Sequence, residues 1–347
     1  MIEPSVGRQQ KWYQYRWTWI GAALLAAALL VVLWAVSLLG PRDSRSNQEA
    51  YVKVSRGESA SQVGSQLQKD GLIKSALAFD WLSRYNGVAT HLTAGVYRLS
   101  PRDSLGAIMS AMRQGRVVVI NVSIPEGYTV KEIAERLVRA HIGTPAQFRR
   151  LEQHPLPGMP QPAAGVRDPL EGYLFPATYS FSYGTTARQA LEMMWQTFQE
   201  RVISGVYSHA HTSLSLVQWV TLASILEEEV KDPGQAPDAA AVFLNRYKLG
   251  MPFQSDATVK YAVGGLPPGG LTPSNFKNPS PYNTYQHVGF PPGPISNPGS
   301  AMLRAALHPA SVPYLYFVSL RSGKLLFATT FTGQLSNIQY AQSHPNG

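Results

Sequence analysis

Residues 17–40, "WTWIGAALLAAALLVVLWAVSLLG", hold no charged side chain. About 20 apolar residues, rising 1.5 Å each in a helix, cross the hydrocarbon core of a bilayer. The run predicts one transmembrane helix over 17–40, preceded by a short N-terminus (1–16) and followed by a polar linker (41–50). A cleaved export signal has an apolar stretch of ~7–15 residues and a small-residue cleavage site. This run is longer and ends in "SLLGPRD". Arg8, Lys11 and Arg16 precede it against one acid, Glu3, whereas Arg42 and Arg45 behind it are balanced by Asp43 and Glu49. The basic flank stays in the cytoplasm, so a single-pass cell (inner) membrane protein is expected, N-terminus inside and the remainder outside. Trp12, Tyr13, Tyr15, Trp17 and Trp19 are expected to form the interfacial belt on the inner side.

The 347 residues leave room for about two further domains, and 44% hydrophobic with 15% charged residues suits a folded chain. The absence of cysteine excludes disulfides, thiolate metal sites and a cysteine nucleophile. A net charge of +9 favours anionic partners. The basic residues are scattered, however, and a chain outside the cytoplasm meets no nucleic acid, so none is expected as a partner.

After the linker a small pattern recurs. "YVKVSRGESASQVGSQL" places Gly57, Val63 and Leu67 at the offsets of Gly127, Ile133 and Leu137 in "NVSIPEGYTVKEIAERL". Each reads as a strand, a glycine turn and an amphipathic helix. Ser59 and Thr129 stand where helix N-caps belong. A weaker copy, "GVYRLSPRDSLGAIMSAM", has Ile108 and Met112 at matching offsets and Asp103 or Ser104 as its cap. Such β-α units resemble LysM-like modules, which bind cell-wall glycans; a packing or spacing subdomain fits the same pattern. The fold class is therefore expected to be α+β: the transmembrane helix, a LysM-like subdomain over 51–120, and a larger mixed α/β domain over 121–345.

In that larger domain, five prolines between Gln153 and Pro169 exclude regular structure. Residues 187–202 read as an amphipathic helix, 264–300 as a long structured loop, and 314–330 as two strands joined at Ser322-Gly323. The most chemically suggestive segment is "TLASILEEEV", an apolar run ending on Glu227, Glu228 and Glu229. On a helix over 214–230, Leu216, Val220, Ala223 and Val230 fall within about 60° of Glu227. Glu229 lies on the other side, near Gln218, and Glu228 between. A carboxyl beside apolar surface, with like charges next to it, ionises reluctantly, which suits a general acid. Three acids at a helix C-terminus would otherwise oppose its dipole. "SNFK" (Ser274 to Lys277) fits S-x-x-K but lies between prolines with no K-T-G after it, so it carries no penicillin-binding signature.

Several segments together resemble the YceG-like family of endolytic murein transglycosylases: "IPEGYTVKEIAERL" (124–137), "LEGYLFPATY" (170–179), "LASILEEEV" (222–230), "AVFLNRYKLGMPFQSDATVKYAVG" (241–264), "PSPYNTYQHVGFPPGPISNPG" (279–299) and "ALHPASVPYLYFV" (306–318). Their order behind one membrane anchor makes the resemblance specific. It implies a lytic cleavage between N-acetylmuramic acid and N-acetylglucosamine that leaves a 1,6-anhydro end, with Glu227 as acid/base and Glu229 in support. The usual segment often has lysine and threonine where this chain has Glu228 and Val230. The resemblance further implies that Glu171, Gln254, Asp256, Asn283, Thr284 and Tyr285 line the substrate site. Tyr282 and Tyr285 are suited to lie against sugar faces. Asn245 and Arg246 fit either substrate contact or a helix-end scaffold. It implies no cofactor, peptidoglycan strands as substrate, a role in glycan strand termination or length control, and peptidoglycan synthases as partners. The rival is a membrane-anchored wall-binding scaffold with a degenerate site.

Overall fold

The computed structural model describes residues 9–90 and 92–344, with residues 9–18 given by backbone alone. Residues 1–8 of the expected N-terminal segment 1–16, the last residue of the expected 121–345 domain, and the side chains of Lys11, Trp12, Tyr13, Tyr15, Arg16 and Trp17 lie outside the described residues. Helix α1 (Gln9–Leu39) contains the stretch Trp19–Leu39, which is long and apolar enough to cross a membrane. Its Leu25, Leu29, Val32 and Trp34 are all exposed, an arrangement suited to lipid and costly in water.

The chain divides into two compact units. The first comprises residues 1–119 with 182–184. Beyond α1 it contains β1 (Ala50–Val54), α2 (Ala60–Lys69), α3 (Ala76–Tyr85), β2 (Gly95–Leu99) and α4 (Leu105–Arg113). Alternation in β1 turns Val52 and Val54 inward, and the antiparallel register sets Val52 opposite Tyr97 of β2. Val63 and Leu67 of α2, Phe79 of α3, and Ile108 and Met112 of α4 close the core over this sheet. Ser59 caps α2 in a capping box with Gln62. Ser104 caps α4, while Asp103 accepts instead from the Ser100 N–H. The first and third copies of the repeat thus share one sheet.

The second unit comprises residues 120–181 and 185–347. It holds the second copy: β3 (Val119–Ser123), whose last four residues belong to this unit, and α5 (Val130–Arg139), capped by Thr129 with Glu132. After α6 (Pro145–Leu151) no helix or strand forms until β4 (Thr178–Ser182), which pairs with β3. Then come α7 (Ala187–Phe198), α8 (Leu216–Glu229), α9 (Ala236–Lys248), α10 (Asp256–Ala262), α11 (Ser300–Leu307), the hairpin β5 (Tyr316–Ser319) and β6 (Leu325–Ala328), and α12 (Phe331–Ser343). Helix α7 stops four residues short of the expected 202, because residues 199–204 wind into a π-helical turn.

Helix α8 is the axis of this unit. Trp219, Val220, Leu222, Ala223, Ile225 and Leu226 are each fully buried. Burying a large apolar side chain stabilises by roughly 1.5–3 kcal/mol, so this helix anchors much of the core. Ala236, Ala239 and Ala240 of α9 are fully buried as well, and α8 also packs on α11. The polar residues of α8 work inward too. The Trp219 indole N–H donates to the Leu303 carbonyl at 2.8 Å. The Ile295 N–H donates to Ser224 Oγ at 3.1 Å, and Ser296 Oγ donates to the Ser224 carbonyl. These bonds fasten the proline-rich 291–299 segment along α8. Asn245 and Arg246 serve the scaffold: Asn245 donates to the carbonyls of Val312 and Tyr314, and buried Arg246 to those of Leu315, Pro252 and Phe253.

Candidate active site

Ser215 starts α8 through a capping box with Gln218, and Val230 ends it in extended geometry. No basic residue sits in its last turn. Each of the three glutamates there has its own partner. Glu227 Oε2 accepts from the Gly299 backbone N–H at 2.9 Å. Glu228 pairs with Lys260 of α10 at 2.8 Å. Glu229 Oε1 accepts from Ser255 Oγ at 2.6 Å and from the Ala257 N–H at 3.4 Å.

Burial is the main reason the Glu227 carboxyl titrates above the ordinary glutamate range. The Gly299 N–H pulls the other way, while the negative charges of Glu126 and Glu228 push it further up. The pKa of Glu229 is raised as well, again chiefly by burial, with Ser255 and Ala257 opposing. The helical wheel set these two acids on opposite sides, one toward the apolar stripe. Both face protein, because α8 is enclosed nearly all round.

Two glycines bring a turn against the glutamates. Gly127 adopts φ +77°, and a Cβ there would lie 3.4 Å from Glu228 Oε1 and 3.5 Å from Glu227 Cγ. Gly299 has ordinary extended dihedrals, but a side chain on it would collide with the Glu126 carboxylate. Asn297 knits the surrounding loops: its carbonyl accepts from Gly127 N–H, its amide donates to the Tyr128 carbonyl and to Glu171, and its Oδ1 accepts from Leu174 N–H. Glu126, Asn297 and Gly299 were not singled out from the sequence. The segments "IPEGYT" and "SNPG" contain them, but only the folded loops make them neighbours of Glu227.

The other expected site residues are not all placed together. Glu171 is buried beneath Asn297, accepting from Val130 N–H, Asn297 and the Tyr261 hydroxyl, and its pKa is pushed well up by burial. Asp256, Thr284 and Tyr285 gather at the start of α10 around Ser255, which donates to Glu229. Thr284 is buried and shares hydrogen bonds with Ser255 N–H and Thr258. Tyr285 donates to Asp256 at 2.6 Å. Gln254 holds a left-handed φ of +52° and accepts from Arg246. Asn283 is fully buried and faces its own loop, donating to the carbonyls of Phe276 and Asn278. Tyr282 is buried, with its ring against Tyr261. Among the described residues no group of three or more His, Asp or Glu side chains is placed to hold a metal ion.

A cavity of about 1350 Å3 opens beside this cluster, bordered by Gly127, Glu228, Lys260, Tyr261 and Asp168. A protonated carboxyl next to such a space can deliver a proton to a bound polar polymer.

The profile of the YceG-like family matches residues 52–340. A protein of Bacillus subtilis (strain 168) named endolytic murein transglycosylase is 31% identical over 316 residues, covering 86% of each chain. A protein of Streptococcus pneumoniae (strain D39) with the same name is 28% identical over 340 residues, covering 88% of this chain and 61% of its own length. The crystal structure of a YceG-like protein from Listeria monocytogenes superposes with a TM-score of 0.55 at 31% identity, covering 84% of this chain and 99% of that one.

Proposed function

The chain belongs to the YceG-like family, and on that premise we propose that it is an endolytic murein transglycosylase acting on nascent peptidoglycan. The observation that carries this is the Glu227 carboxyl at the end of a buried helix. It is held by one backbone N–H and has its pKa raised by burial.

The Gly299 N–H occupies Oε2, which leaves Oε1 to carry the proton. Glu227 gives that proton to the oxygen linking N-acetylmuramic acid C1 to N-acetylglucosamine. The C1–O bond breaks and the glucosamine departs with its hydroxyl restored. The muramic C6 hydroxyl closes on C1, and its proton returns to the Glu227 carboxylate. No water is consumed, and the product ends in a 1,6-anhydro ring. Hydrolytic glycosidases set two carboxylates across the bond. Here the tethered C6 hydroxyl stands at high effective concentration and takes the place of an external nucleophile. Glu229 supports the site by holding Ser255 and the start of α10.

The charge asymmetry around α1 favours an N-terminus in the cytoplasm and the chain after α1 outside, where nascent strands are. The β-α pairs of the first unit support a LysM-like assignment, with glycan contact as its role. Cutting strands as they are made places peptidoglycan synthases among the partners.

The test is product chemistry. Full-length protein in detergent, incubated with un-crosslinked glycan strands, is expected to yield 1,6-anhydromuramic ends by mass spectrometry. Reducing ends would overturn the assignment, and binding without cleavage would favour the scaffold.

A further inference from the structure

The cavity beside Glu228 is larger than the ~300–1,000 Å3 of ordinary ligand pockets, so it suits an extended ligand. Gly127 lines it, and a Cβ on that residue would lie 3.5 Å from Glu227 Cγ, so the cavity and the candidate proton donor share this glycine as a neighbour. Its walls are charged with both signs. Lys131 and Arg139 of α5 and Arg149 of α6 line it, as do Glu152 and Asp168.

Most other carboxylates there already have partners. Glu228 holds Lys260, Glu171 is satisfied by three donors, and Glu132 is spent on the α5 cap. Asp168 differs. It is half-buried, and among the described residues its carboxylate accepts one hydrogen bond, from the Leu170 N–H at 2.9 Å, and has no ion pair. Its neighbour Arg167 turns its guanidinium to the Tyr261 carbonyl at 2.7 Å. Burial, with the negative charge of Glu152 nearby, raises the Asp168 pKa to about 7, against the opposing pull of the Leu170 N–H and the Arg167 charge. An incoming cation would relieve both effects. Lys131, Arg139 and Arg149, none of them in an ion pair among the described residues, offer places for carboxylates on the same ligand.

We propose that this cavity binds the peptide stem of a muramic residue, with Asp168 receiving the free side-chain amine of the stem and the basic wall receiving its carboxylates. This rests on the peptidoglycan substrate proposed above. The stem leaves the sugar through the lactyl ether at C3, so a stem lodged here would fix the glycan relative to Glu227.

Binding can be measured without cleavage, by calorimetry on the full-length Glu227→Gln protein in detergent. The probes are a disaccharide-peptide with a free side-chain amine, the same compound with that amine acetylated, and the peptide-free disaccharide. The free-amine compound is expected to bind at least tenfold tighter than the acetylated one. Asp168→Asn, with its fold checked by circular dichroism, is expected to remove that difference. Equal binding of the free and acetylated compounds by the parent, or a difference that persists in Asp168→Asn, would overturn the proposal. Failure of the transglycosylase assignment would show separately, as absence of anhydro ends from the unmutated protein.

Discussion

The Gly299 backbone N–H donates to Glu227 Oε2 at 2.9 Å, while the Glu126 carboxylate lies against the same glycine. One residue therefore sits between two acids, bonded to one and packed against the other. The N–H favours the ionised form of Glu227, and burial with the Glu126 charge favours the protonated form. The net shift is upward from the ordinary glutamate range, the direction that suits the proposed general acid.

This packing makes Gly299→Ala informative. The backbone there, φ −78° and ψ 171°, suits alanine. The obstacle is Glu126. The exposed Glu126 side chain can swing aside to make room, so Gly299→Ala should fold and lower kcat only a few-fold, through a small shift of the Gly299 N–H and of the Glu126 charge. Glu126→Ala in the same chain should restore most of the loss. A double variant as slow as the single one would show that the glycine is needed for another reason.

Glu126→Gln should shift the pH profile. The negative charge of Glu126 raises the Glu227 pKa, so removing it lowers that pKa. As the proposed general acid, Glu227 acts only when protonated, so the rate falls as pH rises through its pKa. The basic limb should therefore move to lower pH in Glu126→Gln. The charge is exposed, so the shift should shrink with added salt. A limb that stays put, or moves up, would remove Glu126 from the account.

Stability should depend on pH in a defined direction. Asp168 is raised from 3.8 to about 7, and Glu171 and Glu229 are raised too. A carboxyl with a raised folded pKa binds protons more tightly in the folded state, so stability is lost as pH rises toward the folded value. For Asp168 that window runs from about 4 to about 7. Thermal melting should give a higher Tm at the lower end of the window than above it, and Asp168→Asn should flatten the slope. Each kcal/mol lost corresponds to about 2–4 °C. A Tm that rises across the window would contradict this assignment.

Much of this architecture was legible in local pattern. The apolar run marked α1, alternation marked β1, and hydroxyl caps at Ser59 and Thr129 marked the starts of α2 and α5. Glu227 stood out because it shares the face of Val220 and Ala223. The partners of the glutamates were not legible. Gly299 lies 72 residues from Glu227, and the Asn297 contact to Tyr128 spans 169. No local periodicity encodes such distances. Polar residues in the marked motifs also carried no label for direction: Asn283 and Thr284 turn inward to hold loops, which spacing alone does not distinguish from facing a ligand.

Of the three adjacent glutamates, Glu227 is the proposed proton donor. The direct measurement is the rate of 1,6-anhydro end formation by the full-length protein and by Glu227→Gln, Glu228→Gln and Glu229→Gln, each checked for folding. Glu227→Gln should lose on the order of 10²–10⁴-fold or more. Glu228→Gln should stay within a few-fold, since its charge is already met by Lys260. Glu229→Gln should fall between, through its hold on Ser255. Parent-like activity in a folded Glu227→Gln protein would contradict the account.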